Sequence, residues 1–122
     1  MSRILIVSPE PFLRQLIRFS LAELDAEVYS VEGVEAFERL TRRLAFDVVI
    51  FLQTTPFLTG GEWLSRLRPT TLRPPIIYVI AWQQSEEVVL SLLEQGVTQY
   101  LSFPISLPRL RVKVARQLRA TP

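Results

Sequence analysis

A chain of 122 residues, 48% of them hydrophobic, is long enough to bury one sizeable core and too apolar for a disordered tail. It contains no cysteine and no histidine, which excludes disulfides, thiolate chemistry and the commonest metal ligand and general base. The formal charge of +2 hides an asymmetry: residues 1–100 carry nine basic and twelve acidic side chains (net −3), residues 101–122 five basic and none acidic (net +5). No apolar run reaches the length of about 18 residues that spans a bilayer. Met1-Ser2-Arg3 leads straight into a strand-like run and not into the apolar stretch of a secretory signal. The expectation is a single domain over residues 1–122 with a cytoplasmic location.

Arg3–Val7 is a short apolar run stopped by Ser8-Pro9, which predicts a buried strand. From Pro11 to Leu24, Leu13, Leu16, Ile17, Leu21 and Leu24 recur at helical spacing, with Arg14 and Arg18 on the other side. Glu27–Val31 reads as a second strand, and Gly33 separates it from a helix over Val34–Leu44. Asp47–Leu52 is β-branched and aromatic on both faces, the pattern of a central strand. Thr54-Thr55-Pro56 and Gly60-Gly61 mark a long loop before a short helix around Glu62–Leu67. Ile76–Ala81 is the fourth strand; Ser85 caps a helix that runs to Gln95 and ends at Gly96. Tyr100–Ser102 is the fifth strand, and Leu107–Leu118 the last helix.

Strands alternating with helices predict a parallel sheet covered on both faces. Four segments make the pattern specific: Ile4-Leu5-Ile6-Val7 followed by Glu10-Pro11; Phe46–Phe51 with Pro56 and Gly60 beyond; Pro75–Ala81; and Gly96–Pro104. In that order and spacing the chain resembles, over essentially its full length, the receiver domain of two-component response regulators. The resemblance implies an α/β, flavodoxin-like (βα)5 sandwich of three layers, its five-stranded parallel sheet ordered 2-1-3-4-5. It also implies a place in bacterial signal transduction.

In that family an acidic pair after the first strand holds Mg²⁺, and an aspartate ending the third strand accepts a phosphoryl group. A Thr or Ser ends the fourth strand, and a Lys precedes the proline after the fifth. By position these roles fall on Ser8 and Pro9, Leu52, Ile80 and Phe103, and every one has changed type. The only aspartates, Asp25 and Asp47, lie elsewhere. Phosphoryl transfer needs a nucleophilic oxygen and a cation on hard oxygen ligands; Leu52 and Pro9 supply neither, and Glu10 is the one carboxylate nearby. The expectation is a degenerate receiver without the phospho-acceptor, without Mg²⁺ or other cofactor, and with no catalytic residue. Leu52 and Ile80 read as core residues, while Phe103 fits either core packing or ligand contact. The resemblance further implies that Tyr100 matches the family's switching aromatic, here expected to be fixed, and that Phe103-Pro104 is a cis bond.

With that pocket silent, surfaces carry the functional expectation. Winding the last helix at 100° per residue puts Leu107, Leu110, Val114 and Leu118 on one stripe, with Arg109, Lys113 and Arg116 nearly opposite. On Ser85–Gln95, Val88, Val89, Leu92 and Leu93 are expected inward, and Glu87, Glu94 and Leu90 outward. In receivers the corresponding two helices and the fifth strand form a face that makes two-fold dimers. An acidic helix beside a basic one suits such a homodimer or another protein partner, and equally suits two solvated faces. Trp82, with Phe57 in the neighbouring loop, is either a partner-binding patch or a lid over the old pocket. No recognition motif or second basic element accompanies the basic helix, so direct nucleic-acid binding is not expected. The leading reading is a non-phosphorylatable interaction module; the alternative is a small-molecule sensor with an apolar pocket at Leu52, Ile80 and Phe103. Without His, Cys or paired strand-end carboxylates, enzymatic activity is not expected.

Overall fold

The computed structural model describes residues 2–53 and 75–120. Five strands, β1 (Ser2–Val7), β2 (Ala26–Val31), β3 (Val48–Gln53), β4 (Ile76–Ala81) and β5 (Gln99–Ser102), form one sheet in the order β2-β1-β3-β4-β5. Every pairing is parallel. The helices among the described residues are α1 (Pro11–Leu21), α2 (Val34–Arg43), α3 (Glu86–Glu94) and α4 (Leu107–Ala120). The sheet order agrees with the resemblance. The expected helix at 62–67 and the loop that contains Phe57 lie outside the described residues.

The two-residue period of the strands sorts their side chains into two cores. Leu5 and Val7, Val49 and Phe51, and Ile77 and Val79 face one layer, where Phe37 of α2 and Leu92 of α3 close the packing. Ile4 and Ile6, Val48, Ile50 and Leu52, and Tyr78 and Ile80 face the other, against Ile17 and Leu21 of α1 and Leu110 and Val114 of α4. β1, β3 and β4 are covered on both faces, so their sequences read as near-continuous apolar runs instead of alternating ones. Each fully buried Leu, Ile or Val stabilises the fold by roughly 1.5–3 kcal/mol relative to exposure.

Element ends show where local chemistry overrides periodicity. α1 stops at Leu21, three residues before the expected Leu24, because the Ala22 N–H donates back to the Phe19 carbonyl (3.2 Å) and the Leu24 N–H to Leu21 (3.1 Å). These three-residue turns swing the chain into β2, and Leu24 still packs against the core. Asp47 precedes β3 as a junction: its carboxylate accepts the Arg3 N–H (2.8 Å), its N–H donates to the Arg3 carbonyl, and its carbonyl accepts the Ile76 N–H (both 2.9 Å). α3 is capped as expected, with Ser85 Oγ accepting the Val88 N–H at 3.3 Å and Gly96 following at φ 116°. Leu93 is a correction: it is 41% exposed. Around the helix it lies 40–140° from Val89, Leu92 and Val88, on the flank of their inward stripe, so Leu92 is buried and Val88 packs partly buried against the same core. The Phe103–Pro104 bond is cis, as expected.

Candidate functional site

Parallel pairing brings the expected positions together at the C-terminal end of the sheet. Val7 stands beside Phe51, which sets Ser8 next to Leu52; Leu52 pairs with Ile80, and Ile80 with Leu101, two residues before Phe103. Leu52 (3% exposed) and Ile80 (0%) are core, and Phe103 packs against the same cluster while partly exposed. The chemistry available there is apolar contact.

Ser8 is fully buried, and its polar atoms are committed. Its N–H donates to the Val31 carbonyl (3.1 Å), its Oγ accepts the Glu10 N–H (3.2 Å), and its carbonyl accepts a hydrogen bond from Arg14 Nη1 at 2.6 Å. Pro9 and Glu10 are exposed beside it. The helical wheel puts Arg14 opposite the apolar stripe and does not indicate the contact with the Ser8 carbonyl. Its only signal in the sequence is a basic residue in the first turn of a helix that has no acid there, the end where the macrodipole disfavours cations. The guanidinium is held there by the backbone carbonyl that it reaches.

The aromatic positions are coupled. Trp82 follows β4 and is 49% exposed; its ring centroid lies 5.2 Å from that of Phe103 at an interplanar angle of 50°. Its carbonyl accepts the Tyr100 hydroxyl at 2.7 Å and the Gln84 side-chain amide at 3.1 Å. Burial raises the Tyr100 pKa above its ordinary value, against smaller lowering contributions from Ser102 and Gln84. The hydroxyl therefore stays protonated and donating at neutral pH. Trp82 thus packs against Phe103 and keeps about half of its surface in solvent.

On the helices, Glu87, Glu94, Leu90, Arg109 and Arg116 are exposed as expected, whereas Lys113 is half-buried. Its long aliphatic stem can lie along apolar surface while the ammonium stays in water. Phe57 lies outside the described residues. Two exposed residues went unnoticed in the sequence, Phe12 (72% exposed) and Phe19 (81%) on α1. Their signal was available: seven residues apart, they share a stripe distinct from that of Ile17 and Leu21.

The chain is similar to known proteins along nearly all of its length. The family model for the response regulator receiver domain matches residues 4–115. The response regulator protein PilR of Pseudomonas aeruginosa is 27% identical over 115 residues, covering 94% of this chain and 26% of PilR. A protein-glutamate methylesterase/protein-glutamine glutaminase of Syntrophomonas wolfei is 32% identical over 117 residues, covering 91% of this chain and 33% of that protein. The chain therefore spans only about a quarter to a third of these relatives. Among solved structures, the receiver domain of Francisella response regulator 1452 superposes with a TM-score of 0.84 at 20% identity, covering all of both chains. The signal receiver domain of a Luxo repressor protein from Vibrio parahaemolyticus gives 0.85 at 20%, covering 98% of this chain and 91% of that one.

Proposed function

Because this chain belongs to the response regulator receiver domain family, we propose that it is a receiver domain that takes no phosphoryl group and works as a protein–protein interaction module in two-component signalling. The observation that carries this reading is Leu52, 3% exposed at the end of β3 and packed with Ile80 and Phe103 where an acceptor oxygen would have to stand. A hydrocarbon there offers no nucleophile. The donor set does not fit Mg²⁺ either. Magnesium needs several oxygen ligands near 2.1 Å, and the end of β1 presents Pro9, a Ser8 hydroxyl already accepting a backbone N–H, the Arg14 guanidinium on the Ser8 carbonyl, and Glu10 as the one carboxylate. A fixed cation next to the site opposes a second one by simple repulsion.

Partner binding is assigned to the surface of Trp82 and to the charged helices α3 and α4, with self-association through α3, β5 and α4 included. Trp82 combines a large, half-exposed ring with a carbonyl pinned by Tyr100, the pre-organised aromatic anchor that interfaces favour. The sensor alternative needs a cavity at Leu52, Ile80 and Phe103; the near-zero exposure and shared cluster of Leu52 and Ile80 support packing instead. This reading places the domain in the cytoplasm, assigns it no enzymatic activity and gives direct nucleic-acid binding no role. Among the described residues, no helix is long and apolar enough to cross a membrane.

The test is a two-dimensional amide NMR spectrum recorded with and without Mg²⁺ and beryllofluoride, which mimics an acyl-phosphate. The expected result is unmoved resonances for Ser8, Leu52, Ile80 and Tyr100. Specific, saturable shifts at those residues would overturn the reading.

A further inference from the structure

The helices on the two faces of the sheet differ in charge: one face carries α1 and α4, and the other carries α3 beside α2, in which Glu35 and Glu38 are mixed with Arg39, Arg42 and Arg43. α1 and α4, which cover one face, together hold seven basic residues and no acid; α3, on the other face, holds Glu86, Glu87 and Glu94 and no base. The ion pairs among the described residues, Arg3–Glu27 and Arg42–Glu38, involve none of these three helices. Each charged face also exposes large apolar side chains. The basic layer shows Phe12 (72% exposed), Phe19 (81%) and Val112 (46%), and α3 shows Leu90 (51%) and Leu93 (41%). Phe12 and Phe19 lie on one stripe of α1, about 10 Å apart along its axis.

Resting on the interaction-module reading, we propose that the basic α1–α4 layer docks helix α3 of a second copy of this chain, so that copies associate head-to-tail. The match is of two kinds at once: arginines meet glutamates, and phenylalanines meet leucines. A nucleic-acid backbone would use the arginines and leave Phe12 and Phe19 facing phosphates. An anionic bilayer would use the basic layer but leave the exposed leucines and glutamates of α3 unmatched. A two-fold contact along the β5 edge would pair α3 with α4 and leave the aromatic stripe of α1 bare. In the head-to-tail contact, the neighbour that seats its α3 on the α1–α4 layer leaves the first copy's own α3, on the opposite face of the sheet, open to a further copy. The contact is heterologous, and it continues from copy to copy instead of closing at two.

Sedimentation equilibrium of the intact chain at low salt, over a range of concentrations, tests this. The expected average mass climbs past that of a dimer as concentration rises and falls when salt screens the charges. Glu87→Arg/Glu94→Arg and Arg109→Glu/Arg116→Glu each weaken association by at least about tenfold, and an equimolar mixture of the two variants regains it. Phe12→Ser/Phe19→Ser weakens it to a similar extent, although it changes no charge. A mass that levels off at a dimer and ignores the phenylalanine substitutions would mean edge pairing, which overturns the head-to-tail contact and leaves the interaction module standing. A monomer at every concentration overturns it as well, and binding of that monomer to anionic vesicles or to duplex DNA would identify the other occupant. The interaction-module reading fails separately, through beryllofluoride-dependent shifts at Leu52.

Discussion

Tyr78 is fully buried in β4, and its hydroxyl meets no hydrogen-bond partner among the described residues. Burial also pushes its pKa from 10.0 up to about 12, because the apolar surroundings disfavour the phenolate. The two states therefore bind protons differently at alkaline pH. Up to about pH 10 both keep the phenol proton; between about 10 and 12 the unfolded chain loses it while the folded one holds it, so stability falls across that window. Tyr78→Phe removes this loss, and a comparison of urea midpoints at pH 8 and pH 11 shows the variant losing less stability than the parent. At pH 8 the substitution is neutral or stabilising by up to about 1 kcal/mol, since an unsatisfied buried donor is removed. The strand was legible around Tyr78, but the orphan hydroxyl was not. Nothing in Ile-Ile-Tyr-Val-Ile says whether a neighbouring strand or helix will bring an acceptor. Leu52 is the contrary case: its place in the third strand and the absence of a side-chain oxygen were both readable, because they depend on spacing and residue type alone.

At the scale of elements, helix starts and stops were set by residues with a definite backbone preference. Ser85 and Gly96 bracket α3 as the sequence indicated. Gly96 sits at φ 116°, a region that a Cβ strongly disfavours, and its N–H donates to the Leu93 carbonyl while that of Val97 reaches Leu92. Gly96→Ala is expected to cost about 1–2 kcal/mol, read as a lower urea midpoint with an unchanged slope. The end of α1 has no such residue. Ala22-Glu23-Leu24 continues the helical period well, and what stops the helix is the need to enter β2 beside β1, with Ser2 opposite Ala26. The misassigned Leu93 has the same origin. A helical wheel gives angles between side chains, and the supporting surface decides how wide an arc is covered.

For the whole molecule, the sheet separates two cores that share no side chain. Ile17 belongs to one and Ile77 to the other. Ile17→Val and Ile77→Val should each cost about 0.5–1.5 kcal/mol, and the double variant should lose their sum to within about 0.5 kcal/mol. A larger departure in chemical denaturation would mean that the layers communicate through the sheet. The same separation puts the basic helices and the acidic helix on opposite sides. The sequence showed the charge asymmetry as a property of its C-terminal segment only; α1 joins α4 in one layer through a contact such as that of the Ser20 hydroxyl with the Leu107 carbonyl, 87 residues further on, at 3.4 Å.

The alternation of strands and helices, the parallel sheet, the capped helix α3 and the residue types at Ser8, Pro9, Leu52, Ile80 and Phe103 were all legible in the sequence. Each of these follows from periodicity, turn chemistry or the atoms a side chain carries, which are local properties. Tertiary structure decided what depends on neighbours distant in the chain. It set Arg14 against the Ser8 carbonyl, tilted the Trp82 ring against Phe103 with its carbonyl held by Tyr100, and left Phe12 and Phe19 in solvent beside a helix of like charge. Burial and pairing belong to the packed surface around a residue, and that surface exists only once the layers have closed on the sheet.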